Sequence, residues 1–128
     1  MNFEELTARA RKVVRPADLN ASTSVGYVGA ALLTDRGHVY TGVNLDLYCS
    51  VGFCAEHSAA AAMVTAGEFR VVKMVAVNAE GNILPPCGRC RELISQLHPE
   101  NCRTEVLVAE GKVCTLAELM PYDWKEVK

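Results

Sequence analysis

Cys54-Ala55-Glu56-His57-Ser58-Ala59-Ala60-Ala61-Ala62-Met63-Val64, with Val71-Val72-Lys73-Met74-Val75-Ala76-Val77 close behind, is the stretch on which the fold turns. The first run is dense in good helix formers, and Gly67 supplies a plausible C-cap, so it predicts a helix whose alanines can pack close to a sheet. The second run alternates too little to be a half-exposed strand, which places it in a sheet interior. Downstream the same order repeats: a helix from Cys87 to about Leu97, ending before Pro99, then a strand from Thr104 to Ala109. Upstream, Val28 to Thr34 and His38 to Asn44 flank Asp35-Arg36-Gly37 and read as an antiparallel hairpin. Asn2 with Glu5 resembles a capping arrangement for an opening helix, in which Phe3, Leu6, Ala10, Val13 and Val14 fall near helical spacing before Pro16. After turns at Glu80-Gly81-Asn82 and Gly111, a short strand at Val113-Cys114 leads to Thr115 and Glu118, a second capping box for a last helical turn before Pro121. The sum is an α/β fold, a three-layer α/β/α sandwich around a mixed sheet of about five strands.

With 128 residues the chain fits one domain, residues 1–128, with no repeat, low-complexity tract or linker to divide it. Half the residues are hydrophobic and 22% are charged, as in globular proteins. The net charge of -2 lacks the Lys and Arg surplus of a protein that neutralises many phosphates, so no nucleic-acid partner is expected. No apolar run approaches a membrane span, and Met1-Asn2-Phe3-Glu4-Glu5 is acidic where a secretory signal is basic, which points to a cytoplasmic protein with no membrane partner. In such a compartment the six cysteines are expected as thiols or metal ligands, not disulfides.

Two fragments carry the chemistry: Cys54-Ala55-Glu56 and Pro86-Cys87-Gly88-Arg89-Cys90, each at the start of a predicted helix. Cys87 and Cys90, three apart, share one face of a first turn and can grip an ion if Cys54 approaches. Helix N-termini offer unpaired N–H groups and a positive dipole end, which favour thiolates. Three sulfurs leave a fourth tetrahedral position open, the mark of a catalytic Zn²⁺ site, where a bound water becomes acidic enough to ionise near neutral pH. Glu56, two residues beyond one ligand, is then the proton carrier. Other readings stand beside this one. A Cys-x-x-Cys pair also occurs in structural zinc knuckles and redox sites; His57 is the nearest fourth ligand, though its direction relative to Cys54 is unfavourable. Cys49, Cys102 and Cys114 have no metal spacing and read as reduced thiols.

Cys-Ala-Glu followed by Pro-Cys-x-x-Cys resembles the signature of the cytidine deaminase family. The likeness extends from Val28-Gly29-Ala30-Ala31-Leu32 through Thr41-Gly42-Val43-Asn44 to Cys90-Arg91-Glu92-Leu93. It implies hydrolytic deamination of a cytosine-type nucleoside to the uracil-type product and ammonia, a place in pyrimidine salvage, one Zn²⁺ per subunit and a homotetramer. It further implies that Asn44 bonds a sugar hydroxyl and that the backbone around Ala55 and Pro85 reads the base edge. A nucleic-acid editing deaminase and a non-catalytic zinc module are the alternatives.

The chain departs from the family pattern at several points. Ser22-Thr23-Ser24-Val25-Gly26 stands where the family carries an aromatic that packs on the pyrimidine. Asp46 stands for the usual sugar-binding Glu, and His57 for the Arg that tempers the thiolates, a role Arg89 is placed to share. With His98-Pro99 these features are similar to the blasticidin S deaminase branch, in which a C-terminal aromatic, here Trp124, contacts the substrate's non-ribose sugar. The resemblance therefore implies cytidine, deoxycytidine or a modified cytosine nucleoside such as blasticidin S as substrate, and Gly26, Asp46 and Trp124 favour the modified one. Trp124 also suits a second duty, anchoring the C-terminus or filling an oligomer contact.

Overall fold

The computed structural model describes residues 1–126. Helix α1 (Phe3–Val13) starts with the expected capping box: Asn2 Oδ1 accepts the Glu5 N–H at 2.8 Å, and Glu5 Oε2 accepts the Asn2 N–H at 3.1 Å. Strands β1 (Ala17–Asn20), β2 (Thr23–Thr34) and β3 (Val39–Leu47) follow, then α2 (Ala55–Thr65) and β4 (Val71–Asn78). The chain continues through β5 (Ile83–Leu84), α3 (Gly88–Leu97), β6 (Glu105–Ala109) and β7 (Lys112–Thr115), with short 3-10 turns at Tyr48–Ser50, Pro99–Arg103, Ala117–Leu119 and Trp124–Glu126. The second capping box is present as well, since the Glu118 N–H donates to Thr115 Oγ1 at 3.2 Å.

All the strands share one sheet, in the order β1-β2-β4-β6-β7, with β3 also on β2 and β5 also on β4. The β4–β6 pair is parallel and the others antiparallel, so the sheet is mixed. Alternate residues of the central strands feed opposite cores. Ala31, Leu33, Val75 and Val77 pack with Leu6 and Ala10 of α1, while Leu32, Met74 and Val106 pack with Ala59, Ala60 and Met63 of α2 and Ile94 of α3. This explains why Val71 to Val77 shows so little alternation: both faces of β4 are covered. Each fully buried Leu, Met, Val or Ile stabilises the fold by about 1.5–3 kcal/mol.

The sheet has seven strands where about five were expected. The two extra ones are short: β1 has one partly buried residue followed by three exposed ones, and β5 has two residues, so neither carries a hydrophobic period. The hairpin strands are also longer than Val28–Thr34 and His38–Asn44. A bulge between Val25 and Gly29 interrupts β2, and pairing resumes beyond it with the end of β3. Gly26 sits in that bulge at φ +78°, where a Cβ would stand 2.1 Å from the Arg15 carbonyl oxygen. Gly42 of β3 allows another close approach, because a Cβ there would lie 2.4 Å from the Ala59 nitrogen and 2.6 Å from Ser58 Cβ of α2. That contact seats α2 on the sheet and fixes where its first turn points.

Candidate active site

Cys54 is the N-cap of α2, Cys87 is the N-cap of α3, and Cys90 lies in the first turn of α3. The sulfurs of the two capping cysteines turn toward one another, and that of Cys87 also faces the backbone N–H groups of Arg89 and Cys90 in its own first turn. Cys54 Sγ lies 3.4 Å from Cys87 Sγ, Cys87 Sγ lies 3.6 Å from Cys90 Sγ, and all three fall within 4.8 Å of one another. Sulfurs around a tetrahedral zinc, each about 2.3 Å from the ion, stand roughly 3.8 Å apart. The separations therefore suit one such ion and are far too long for a disulfide, whose S–S bond is about 2.05 Å. Among the described residues no fourth His, Cys, Asp or Glu joins this group, so the set is a tripod with an open corner.

The charges also call for a cation. Burial pushes the Cys54 thiol up, and burial together with the nearby Glu56 carboxylate pushes Cys90 up strongly. Burial acts against Cys87 too, but backbone N–H donors of Cys90 and Arg89 and the neighbouring sulfurs outweigh it and lower that thiol. Holding all three sulfurs as thiolates against this burial and mutual repulsion needs a positive ion. His57 does not complete the tripod: its Nδ1 lies 3.3 Å from Cys90 Sγ, placed to bond the sulfur. Burial, then the charge of Arg89, lowers the His57 pKa, which favours the neutral ring.

Glu56 is 4% exposed, and burial raises its carboxyl above the usual range. It belongs to the wall of a cavity of about 410 Å³ that also includes Asn44, Asp46, Ala55, Pro85, Cys54 and Cys87. A volume of that size suits a small-molecule ligand. Val28, Ala55 and Ala76 line the cavity, and all three pack with the buried Ala30. Asn44 Oδ1 accepts the Val28 N–H at 2.9 Å, which satisfies the backbone beside the bulge. Trp124 lies elsewhere. It is 64% exposed and lines a separate groove with Gly88, Glu92 and Met120, so within one chain it does not reach this cavity.

The cavity also contains residues that sequence reasoning did not single out. Phe53 is its single aromatic, and Val28, Leu47, Ser50, Leu84 and Arg89 are among the other residues of the wall. Phe53 is held by a pair of backbone hydrogen bonds with Leu45, at 2.9 and 3.0 Å. Its place directly before Cys54 was the available signal. No aromatic comes from Ser22 to Gly26, consistent with the missing lid noted in the sequence. Among the described residues no helix is long and apolar enough to cross a membrane.

Comparison with known proteins places this geometry. Residues 2–105 match the family model described as "Cytidine and deoxycytidylate deaminase zinc-binding region", which takes in all three cysteines. The chain is 32% identical over 126 residues to a cytidine deaminase of Sporosarcina psychrophila, covering 94% of this chain and 90% of that one. It is 33% identical over 106 residues to a blasticidin-S deaminase of Bacillus cereus, covering 74% of each. With cytidine deaminases of two Mycobacterium tuberculosis strains the identity is 38% over 68 residues, and the match spans only 51% of their length. The crystal structure of cytidine deaminase from Mycobacterium leprae superposes with a TM-score of 0.79 at 28% identity, covering 94% of this chain and 98% of that one. The fold, the spacing of the sulfurs and the extent of the match all lead to one assignment: the chain belongs to the cytidine and deoxycytidylate deaminase family.

Proposed function

We propose that the protein is a zinc-dependent hydrolase that converts a cytosine-type nucleoside to its uracil-type counterpart and ammonia. The observation that carries this reading is the tripod of Cys54, Cys87 and Cys90 with an open corner, in the wall of a cavity that also holds the buried carboxyl of Glu56. Zinc held there supplies a Lewis acid that acidifies a water. Glu56 accepts the proton that water gives up and delivers it to N3 of the base, which makes C4 electrophilic. The water oxygen adds to C4, Glu56 takes the remaining proton from that new hydroxyl and hands it to the exocyclic nitrogen, the C4–N bond breaks as the C4 carbonyl forms, and ammonia leaves. Burial suits Glu56 to this work, because raising its pKa makes the carboxylate a better proton acceptor.

Substrate recognition is assigned to the rest of the wall. The backbone of Ala55 and Pro85 faces the base, and the amide nitrogen of Asn44 donates to a sugar hydroxyl that Asp46 accepts from. A carboxylate beside the sugar repels a 5′-phosphate, which favours nucleosides over nucleotides and over nucleic-acid strands. The absence of an aromatic from residues 22–26, the shorter Asp46 and the likeness to a blasticidin-S deaminase favour a modified cytosine nucleoside. Tyr48 and Val51, 66% and 63% exposed and next to cavity residues Ser50 and Gly52, are apolar surface suited to a homotetramer contact.

The test is Glu56→Gln. Zinc measured by atomic absorption should stay near one per chain, while the absorbance decrease on cytidine or blasticidin S deamination falls by about 10²–10⁴-fold. Loss of zinc would make Glu56 a ligand, and full turnover would remove it from the chemistry. A panel of cytidine, deoxycytidine, blasticidin S and cytidine monophosphate ranks the substrates, and a preference for the nucleotide would overturn the role given to Asp46.

A further inference from the structure

The last described segment, Leu119 to Lys125, is tied to α3, the helix that carries two of the three sulfurs. Two consecutive α3 residues tie it. Arg91 Nε donates to the Pro86 carbonyl at 2.7 Å, and its Nη1 donates to the Leu119 carbonyl at 2.9 Å. The Arg91 backbone N–H also donates to the Cys87 carbonyl at 3.0 Å. One residue thus grips the carbonyls on both sides of Cys87 and joins them to the C-terminal segment. Next to it, the Glu92 carboxylate accepts from Lys125 Nζ at 2.7 Å and from the Trp124 indole N–H. Lys125 Nζ also reaches Asp123 Oδ1 at 3.0 Å and lies 5.3 Å from the centre of the Trp124 ring.

We propose that Leu119–Lys125 is a clasp on the start of α3, and that Arg91 is a positioning residue that sets how tightly Cys87 and Cys90 hold the metal. The inference rests on the zinc reading above and adds to it a source of affinity outside the ligands. Cys87 is the N-cap of α3, and a helix end frays unless the loop before it is restrained. Fraying rotates the Cys87 sulfur away from Cys90 and breaks up the two-sulfur grip. The Arg91 fork prevents it by tying the carbonyl just before Cys87 to a segment that Glu92 separately pins. A lysine offers one point charge on a flexible stem and cannot span both carbonyls with fixed geometry. On this account Trp124 acts on the site of its own chain through Glu92 and α3.

The experiment follows zinc leaving the purified, zinc-loaded protein for a chromogenic chelator. R91M should release zinc about 10–100-fold faster, as when partners of metal ligands are removed, and R91K should fall between R91M and the parent. E92Q, further from the sulfurs, should accelerate release by a smaller factor, and R91M combined with E92Q should give less than the product of the two effects because both act through one segment. R103M, on an exposed 3-10 turn where Arg103 meets only Glu100 at 3.5 Å, should leave the rate unchanged. Urea unfolding with and without zinc separates positioning from general support: the clasp predicts a larger loss in the zinc-loaded form, whereas plain destabilisation lowers both equally. Circular dichroism confirms that each variant is folded, and E92Q carries the test if R91M is not. A release rate for R91M within twofold of the parent, or equal losses with and without zinc, overturns the clasp while leaving the metal site intact. A parent that binds no zinc overturns both readings.

Discussion

Replacing Gly42 by alanine tests whether the seat of α2 on the sheet governs the site at its far end. The new Cβ would lie 2.4 Å from the Ala59 nitrogen, 2.6 Å from Ser58 Cβ and 2.8 Å from the Ser58 carbonyl carbon, whereas ordinary contact begins at 3.4 Å. Two of these three neighbours are backbone atoms, so no rotamer change relieves the clash, and α2 must move back by about 1 Å. Overpacking of this kind costs about 1–3 kcal/mol, which in a chain of this size lowers Tm by roughly 3–15 °C. The movement does not stay local. The Ser58 N–H bonds the Cys54 carbonyl at 3.3 Å, so the first turn carries Cys54 and Glu56 along with the helix. A misplacement of about 1 Å at reacting groups costs on the order of 10²-fold in rate. The expected result for Gly42→Ala is therefore a lower calorimetric Tm together with a drop of about 100-fold in kcat/KM for cytidine, measured by absorbance. Gly88→Ala is the control, because a Cβ there meets nothing within 4 Å, and it should be neutral. A Gly42→Ala protein with the parent's Tm and kcat/KM would refute the idea that close helix-to-sheet contact fixes the catalytic turn.

Other outcomes follow from the same coordinates. Phe53→Leu removes the cavity's single aromatic while keeping an apolar side chain; KM for cytidine should rise about 2- to 10-fold with zinc content unchanged, and an unaltered KM would show that the ring does not meet the base. Glu68 sits buried under three donors, with Tyr40 and His38 on one oxygen and Thr34 on the other, and these bonds, Tyr40 first, hold its carboxyl near 2 against an ordinary value of 4.5. A depressed carboxyl stabilises the fold in full above about pH 4.5, and that contribution is lost as pH falls toward 2. Urea unfolding of the parent and Glu68→Gln should accordingly show a stability difference that shrinks across this window; a constant difference from pH 7 to 2 would contradict it.

The parts of the molecule that were legible in the sequence are those governed by neighbours in the chain. Asn2 with Glu5, Thr115 with Glu118, and the two cysteines that begin α2 and α3 are local signals, and each sits where its spacing placed it. The sulfur tripod was legible for a related reason, since ligand spacing on a helical turn is set by helix geometry. β1 and β5 were not, because pairing with a neighbouring strand, not burial of an apolar face, makes them strands. The bulge at Gly26 hid the first part of β2 by breaking the period-two pattern. Phe53, Leu84 and Val28 share a cavity only because the sheet brings three separate segments together, and nothing in any one segment announces it.

The carboxamide of Asn44 has an oxygen committed to mending the polypeptide at Val28, and the function proposed above asks its nitrogen to meet the sugar. Whoever wishes to retune this enzyme for another sugar has little freedom at that position: a hydrophobic replacement orphans a main-chain amide, and aspartate keeps the repair but reverses the polarity shown to the guest. Diversification of the pocket is thereby steered toward Asp46 and Ser50, whose side chains carry no such second obligation.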